Sequence, residues 1–413
     1  MRGWVAFAVG AAALALGACG GDASGGSNTL NYYIFNEPGG GPQKVAEECA
    51  KQSGGRYEIE FQYLPARADQ QREQLVRRLG AEDKSIDLIG MDIIWTGEFA
   101  NAGWLAEVPQ EYEGRLTENV FDSVLATARF EDKLYNVPAW SNTQLLWYRK
   151  DKVDQPPETW DEMIDKAVEE KGKIEVQANR YEGLVVWANA MLLSAGAEFL
   201  AGPQEVSMEE EGTKRALEVM GKLGRSPAAA TAIDTSNEDS ARLGFEAGTS
   251  IFMINYPFVF PSAKENAPDV FKNMGAAKFP KVDPAEESRP PLGGINIGVS
   301  EFSRKQDLAW EAIECMVQPE NQITIAEMGG LPPVREDVYD SDEIEKIYPG
   351  FADVIRESIA SAGPRPSESP AYQDLSLGIQ RGVHPVTKIT DPDAAYDRLR
   401  DYVEQAVKRE GLL

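Results

Sequence analysis

Histidine is almost missing from this chain: His384 is the one histidine in 413 residues. A zinc site built on several histidines is thereby excluded, and so is a serine–histidine–aspartate triad centred anywhere else. Basic residues are also short, 41 Lys and Arg against 67 Asp and Glu, for a formal charge of −26. Such a chain repels polyanions, which excludes nucleic acid as a partner and favours a neutral ligand. Cysteine is scarce, with three residues. Long apolar runs are missing after the first twenty residues, so no later stretch reaches the roughly 20 residues of a spanning helix. No internal repeat and no low-complexity tract follows the first thirty residues.

The apolar run that does exist lies at the start. Arg2 precedes an uncharged stretch from Trp4 to Ala18, which leads to Leu16-Gly17-Ala18-Cys19. A positive start, a short apolar run and small residues before the cut describe a signal peptide over 1–18. A cysteine at the cut describes a lipoprotein, with Cys19 carrying the lipid. The alternative is an ordinary signal peptide that happens to contain a cysteine. Residues 19–29 are mostly Gly, Ser and Asp, a flexible tether between lipid and fold. The expected location is extracytoplasmic, on the outer face of the cell membrane. Cys49 and Cys315 then remain as an even pair in an oxidising compartment. They are expected to be joined; the alternative is two separate buried thiols.

The body of the chain alternates strand and helix signals. Thr29–Phe35 reads as a strand. A helix from Gln43 has Val45, Cys49 and Ala46 inward, and Tyr57–Leu64 alternates as a half-buried strand does. A charged helix over Asp69–Leu79 has Leu75, Val76 and Leu79 inward, and Asp87–Ile94 is a short buried strand. This order predicts an open, mostly parallel sheet. Further strands are expected at Gln144–Arg149, Ser250–Ile254 and Leu292–Val299. Helices are expected at Thr159–Lys171, Glu182–Leu200, Ser240–Ala247, Asp307–Val317, Asn321–Met328 and from Asp391. Pro and Gly near positions 138, 293 and 330 divide the chain into alternating halves, as several crossings between two lobes would. The lobes are expected at 30–138 with 294–331 and at 139–293 with 332–413.

An ordered set of these stretches resembles the extracellular solute-binding proteins of carbohydrate ABC transporters. The set comprises the Glu37-Pro-Gly-Gly turn, Asp87-Leu-Ile-Gly-Met-Asp-Ile-Ile-Trp95, Asn101-Ala-Gly-Trp-Leu105, Leu134-Tyr-Asn-Val-Pro138 and Leu146-Trp-Tyr-Arg-Lys-Asp151. Phe245-Glu-Ala-Gly248, Gly293-Gly-Ile-Asn-Ile-Gly298 and Gly329-Gly-Leu-Pro-Pro333 complete it. Ser141–Tyr148, Glu182–Trp187, Pro257-Phe-Val-Phe260 and the placement of Cys49 and Cys315 are similar to the trehalose-binding lipoproteins of mycobacteria. One position departs: Tyr256 stands where those proteins carry a tryptophan, which leaves a smaller stacking surface. The resemblance implies an α/β, two-lobed periplasmic-binding-protein fold, with open mixed sheets flanked by helices and a hinge of several crossovers. It implies a monomer without cofactor or metal that captures a disaccharide, trehalose first and maltose or another glucoside as alternatives. The partners implied are the ABC permease subunits and, through the lipid, the membrane.

A disaccharide offers C–H faces to aromatic rings and vicinal hydroxyls to carboxylates and amides. Open α/β sheets place ligands at strand ends and turns, which makes candidates of seven residues. Glu37 follows the first strand, and as a helix-start carboxylate it has a bland alternative. Asp92 ends a strand, where aspartate is otherwise unfavourable. Asn142 falls at the first crossover, with a turn amide as the alternative. Glu238 precedes a helix and has capping as its alternative. Tyr256 and Gly294 lie beside the second crossover. Arg365 stands between two prolines, either reaching the cleft or solvated on a loop. Trp95, Trp140 and Trp187 are candidate stacking rings with core packing as the alternative. Trp104 is assigned to the core, and Arg67 is a weaker candidate. No enzyme activity is expected. A secreted glycosidase would need two carboxylates of opposed pKa at a fixed separation, and no local motif marks such a pair.

Overall fold

The computed structural model describes residues 28–408 apart from positions 38 and 370. The signal peptide, Cys19 and nearly all of the tether expected over 19–29 lie outside the described residues.

Nine strands form two mixed sheets. The first contains Thr29–Phe35 (β1), Glu58–Leu64 (β2), Leu88–Asp92 (β3), Asn136–Thr143 (β4) and Leu292–Val299 (β9), in the order β2-β1-β3-β9-β4. The second contains Leu145–Arg149 (β5), Lys173–Glu175 (β6), Ser250–Asn255 (β7) and Met274–Ala277 (β8), in the order β8-β5-β7-β6. β1 runs parallel to β2 and to β3, while β9 is antiparallel to β3 and β4. In the second sheet β7 is parallel to β6 and antiparallel to β5. The fold is α/β and two-lobed, as expected.

The physical reason is legible in the strands. Leu88, Ile89, Gly90 and Met91 of β3 are all buried, as in a strand covered by helices on both faces. Gly90 is needed for close packing, because a Cβ there would stand 2.6 Å from Ile34 of the neighbouring strand. The helix Gly41–Gln52 begins with Pro42, which suits a first turn where the N–H has no partner. It buries Val45, Ala46 and Cys49. Cys49 is bonded to Cys315 of the helix Gln306–Met316, with Cα atoms 5.9 Å apart. In the helix Ala68–Leu79, Gln71 is buried beside Leu75 and Leu79, while Val76 is half-buried.

β4 stays in the first sheet as far as Thr143, and β9 joins that sheet from Leu292. The chain therefore passes between sheets at Gln144 and again across 278–291. β4 ends five residues past the 138/139 division expected above, and β9 begins two residues before position 294. Three hydrophobic cores follow. One fills the first lobe around Leu30, Tyr32, Val137 and Ile297. Another fills the second lobe around Trp160, Trp187, Phe252 and Leu399. The third joins the two: Met91 and Ile94 on one side, Trp147 and Met253 on the other, with Tyr348, Phe351 and Ile355 in the same cluster. Phe351 meets Trp147 edge-on at 5.4 Å. The segment around Ala352–Ser361 is thus shared between lobes rather than owned by the second. Among the described residues no helix is long and apolar enough to cross a membrane.

Candidate functional site

In each sheet a pair of parallel strands directs its carboxyl ends to one edge. β1 and β3 end there in the first lobe, so the loop carrying Glu37 and the strand end carrying Asp92 share that edge. β6 and β7 do the same in the second lobe, followed by the helix that opens with Glu182 and by Tyr256.

Asp92 ends β3, where its Oδ1 accepts a hydrogen bond from the backbone N–H of Ile94 at 3.3 Å and caps the turn Ile93–Trp95. The same oxygen accepts from Nη2 of Arg365 at 3.0 Å. Arg365 is 4% exposed, so it is not a solvated loop charge. Its Nη1 donates to Glu182 Oε1 at 2.6 Å. The guanidinium therefore joins a carboxylate of the first lobe to one of the second. Glu182 also accepts from the hydroxyls of Tyr372 and, at 2.5 Å, Ser376. Burial pushes the Glu182 carboxyl up, and Arg365, Ser376 and Tyr372 work against that rise. Burial opposes the Arg365 charge, but Asp92, Tyr372 and Glu182 outweigh it and hold the guanidinium well above its ordinary value.

Glu238 is the first residue of the helix Glu238–Glu246, whose cap is Asn237. Its carboxylate accepts from the hydroxyl of Tyr181 at 2.6 Å, and burial pushes it up. Glu238 is therefore not the cap itself. Tyr256 is half-buried; burial and then the nearby Glu238 raise its hydroxyl, with Arg365, Asp92 and Glu182 also within electrostatic reach. Burial pushes the Glu37 carboxyl from 4.5 up to about 8. Asn142, on β4, has its Oδ1 buried without a hydrogen-bond partner among the described residues. Gly294 has a φ of 136°, and a Cβ there would stand 2.5 Å from the Trp140 carbonyl oxygen. Only glycine fits there without strain.

The structure thus brings Asp92 and Arg365 into contact and sets Tyr256 and Glu238 in the same electrostatic field. Asn142 and Gly294 lie together on the paired strands β4 and β9, and Glu37 lies on the same sheet edge as Asp92. The tryptophans answer differently. Trp187 is fully buried with its ring 5.8 Å from Trp160, Trp95 stacks on Phe99, and Trp140 is 3% exposed. All three pack in the cores. Trp104 meets Phe99 edge-on at 5.4 Å. Arg67 is exposed and pairs with Asp69.

Sequence reasoning missed Glu182, Tyr181, Tyr372 and Ser376. One signal was available: Glu182 is the single charge on Glu182–Leu193, a helix with eleven buried residues, Glu182 among them. A buried carboxylate needs a cation or donors. A cavity of about 250 Å³ opens beside Arg365, between Thr127 of the first lobe and Asn189, Leu193 and Phe199 of the second.

Comparison with known proteins supports the family and the fold. The family model described as bacterial extracellular solute-binding protein matches residues 44–350. A probable ABC transporter-binding protein of Deinococcus radiodurans is 23% identical, over 86% of this chain and 88% of its own length. A maltotriose-binding protein of Pyrococcus abyssi is 25% identical, over 76% of this chain and 68% of its own. Among solved structures, maltose-bound MalE3 of T. maritima superposes with a TM-score of 0.83 at 24% identity, covering 91% of this chain and 99% of that one. The GacH receptor of Streptomyces glaucescens, solved unliganded and with acarbose, gives 0.79 at 21%, covering 93% and 100%. With the family match spanning most of its length, the chain belongs to the bacterial extracellular solute-binding proteins.

Proposed function

We propose that this protein captures a neutral disaccharide between its lobes and delivers it to the permease of an ABC importer, with trehalose as the leading ligand. The observation that carries the reading is a set of buried polar atoms without partners where the two lobes meet. Among the described residues Asn142 Oδ1 has no donor and Arg365 Nε has no acceptor. Buried polar groups are nearly always hydrogen-bonded, and a polyol supplies donors and acceptors together. Tyr256 offers a ring for a sugar face. The charge of −26 disfavours an anionic ligand. Maltose is the second reading, favoured by the maltotriose and maltose binders among the relatives. The sequence pattern at Ser141–Tyr148 and around Pro257 favours trehalose.

Calorimetry with trehalose and maltose on the wild-type protein and on Asp92→Ala tests the site. In this reading Asp92 accepts from a sugar hydroxyl, and losing a hydrogen bond to a charged group costs about 1.5–3 kcal/mol, or roughly ten- to a hundredfold in affinity. Binding within about twofold of wild type removes Asp92 from the site. Sugar recovered unchanged after long incubation is the expected companion result, and hydrolysis products would make the protein a glycosidase instead.

The second part of the proposal is that Cys19 carries a lipid and holds the protein at the outer face of the membrane, resting on Leu16-Gly17-Ala18-Cys19 after an apolar run. Cys19→Ser is expected to release the protein into the medium. Retention of that variant on washed membranes would refute the anchor.

A further inference from the structure

The Arg365 side chain enters a crowded place. Its loop lies against the first lobe at Gly97, where a Cβ would stand 2.9 Å from the Ser367 carbonyl oxygen. From the second lobe, Asn189 Nδ2 donates to the Pro364 carbonyl at 3.2 Å. The loop is thereby fixed between lobes, but a loop fixes a Cα, not a guanidinium. An arginine side chain has many rotamers, and ordering it costs entropy. Something must hold the fork.

Two carboxylates touch it, and they differ. Asp92 is a fifth exposed at its side chain, accepts a turn N–H, and ends a strand at the carboxyl edge of the first sheet. Glu182 has a 9% exposed side chain, and hydroxyls occupy both of its oxygens. Tyr372 and Ser376 stand four apart on the helix Tyr372–Val383, hence on one face. Ser376 in turn accepts from Gln380 Nε2 at 3.1 Å, one turn further along. A continuous hydrogen-bonded path therefore runs from this second-lobe helix through Glu182 and Arg365 to Asp92 of the first lobe. Arg365 has five N–H donors. Two nitrogens are committed to carboxylates, and Nε has no partner among the described residues.

We propose that Glu182 is a positioning residue: held by Tyr372 and Ser376, it orients the Arg365 guanidinium toward Asp92 and leaves its free N–H for the sugar, without touching the sugar itself. This rests on the sugar-binding reading above. It assigns the buried carboxylate of the second lobe to preorganisation, which gains affinity by reducing what must be ordered on binding. A planar fork is required for two carboxylates and a ligand at once, and the point charge of a lysine does not replace it.

The test is a double-mutant cycle on the full mature protein, with trehalose and maltose as probes and thermal melting recorded for every variant. Glu182→Gln keeps the shape and, with its one oxygen, an acceptor for Tyr372; its amide NH2 faces Ser376, and the charge facing Nη1 is removed. It is expected to weaken binding about tenfold. Arg365→Lys is expected to weaken it at least as much. The double variant should be no weaker than Arg365→Lys, within about twofold, because Glu182 acts only through Arg365. Losses that multiply, or Glu182→Gln binding like wild type, overturn the proposal. Tyr372→Phe removes one bond to Glu182 with the ring intact and should give a smaller loss in the same direction, which keeps the test open if Glu182→Gln folds poorly. A sugar-free readout separates this from the choice of ligand. The Arg365 Nε–H should exchange slowly in the wild-type protein and faster in Glu182→Gln, by nuclear magnetic resonance. Equal exchange in both overturns the positioning role even if the wild type binds both sugars. A wild type that binds neither sugar sinks the sugar reading alone.

Discussion

Replacing Cys49 and Cys315 together by alanine is expected to lower the stability of the folded chain by about 4–5 kcal/mol. The two residues are 266 positions apart in sequence. A bond between them closes a loop that includes both passages between the sheets, and it removes that loop's freedom from the unfolded chain. In the chain-entropy model the gain grows with the logarithm of loop length, so this bond stands near the top of the range. The folded side should change little. Both residues lie on helices that pack against the core of the first lobe, and Cys49 is fully buried. Alanine leaves no buried hydroxyl behind. Urea unfolding of the double variant and of the oxidised wild type measures the difference. Sugar affinity per folded molecule should stay within about twofold, because neither helix supplies a residue of the Asp92–Arg365 group. A stability within about 1 kcal/mol of wild type would show that the unfolded chain is already restricted without the bond.

The first lobe was the more legible half, for a physical reason. Its strands are apolar runs bounded by turn residues, and its helices show one apolar face. Pro42 and the inward spacing of Val45 and Cys49 are enough to place Gly41–Gln52. Asp92 and Tyr256 could be singled out as candidates because each stands at the end of a strand, where open α/β sheets place ligands. Glu182 was not. A glutamate at the start of a helix reads as a solvated carboxylate in a favourable dipole, and the one local signal against that, an otherwise uncharged helix, names no partner. Its partners Arg365 and Ser376 are 183 and 194 positions away. The three tryptophans failed for the converse reason: an indole suits a core as well as a sugar face, and sequence spacing does not distinguish them. The helices near Ile344 and Ile355 show apolar faces as well, but which lobe those faces cover is decided by tertiary packing. They cover both.

Replacing Arg365 by methionine is expected to cost about 3–5 kcal/mol at neutral pH, because it leaves a buried carboxylate without its cation. The reason lies in Glu182, whose carboxyl burial pushes up and Arg365 restrains. Without the guanidinium the folded-state value rises further. A carboxyl raised in the folded state favours folding most below its unfolded value, about 4.3. That contribution is lost as pH climbs toward the folded value. The deficit of Arg365→Met relative to wild type should therefore be smallest near pH 4 and widen toward pH 8. Methionine retains most of the packing volume, which keeps the comparison on charge rather than on a cavity. Glu182→Gln in the same background removes the carboxyl, and the pH-dependent part of the deficit should vanish with it. Thermal melting of the three proteins between pH 4 and pH 8 gives the answer. A deficit that is flat across this range, or that survives Glu182→Gln unchanged, would mean that Arg365 stabilises through its packed stem rather than through the bridge between lobes. Sugar binding gives an independent check, since the variant lacks the buried Nε–H and the partner of Asp92. Its affinity should fall by at least tenfold even at the acid end, where its stability is closest to that of the wild type.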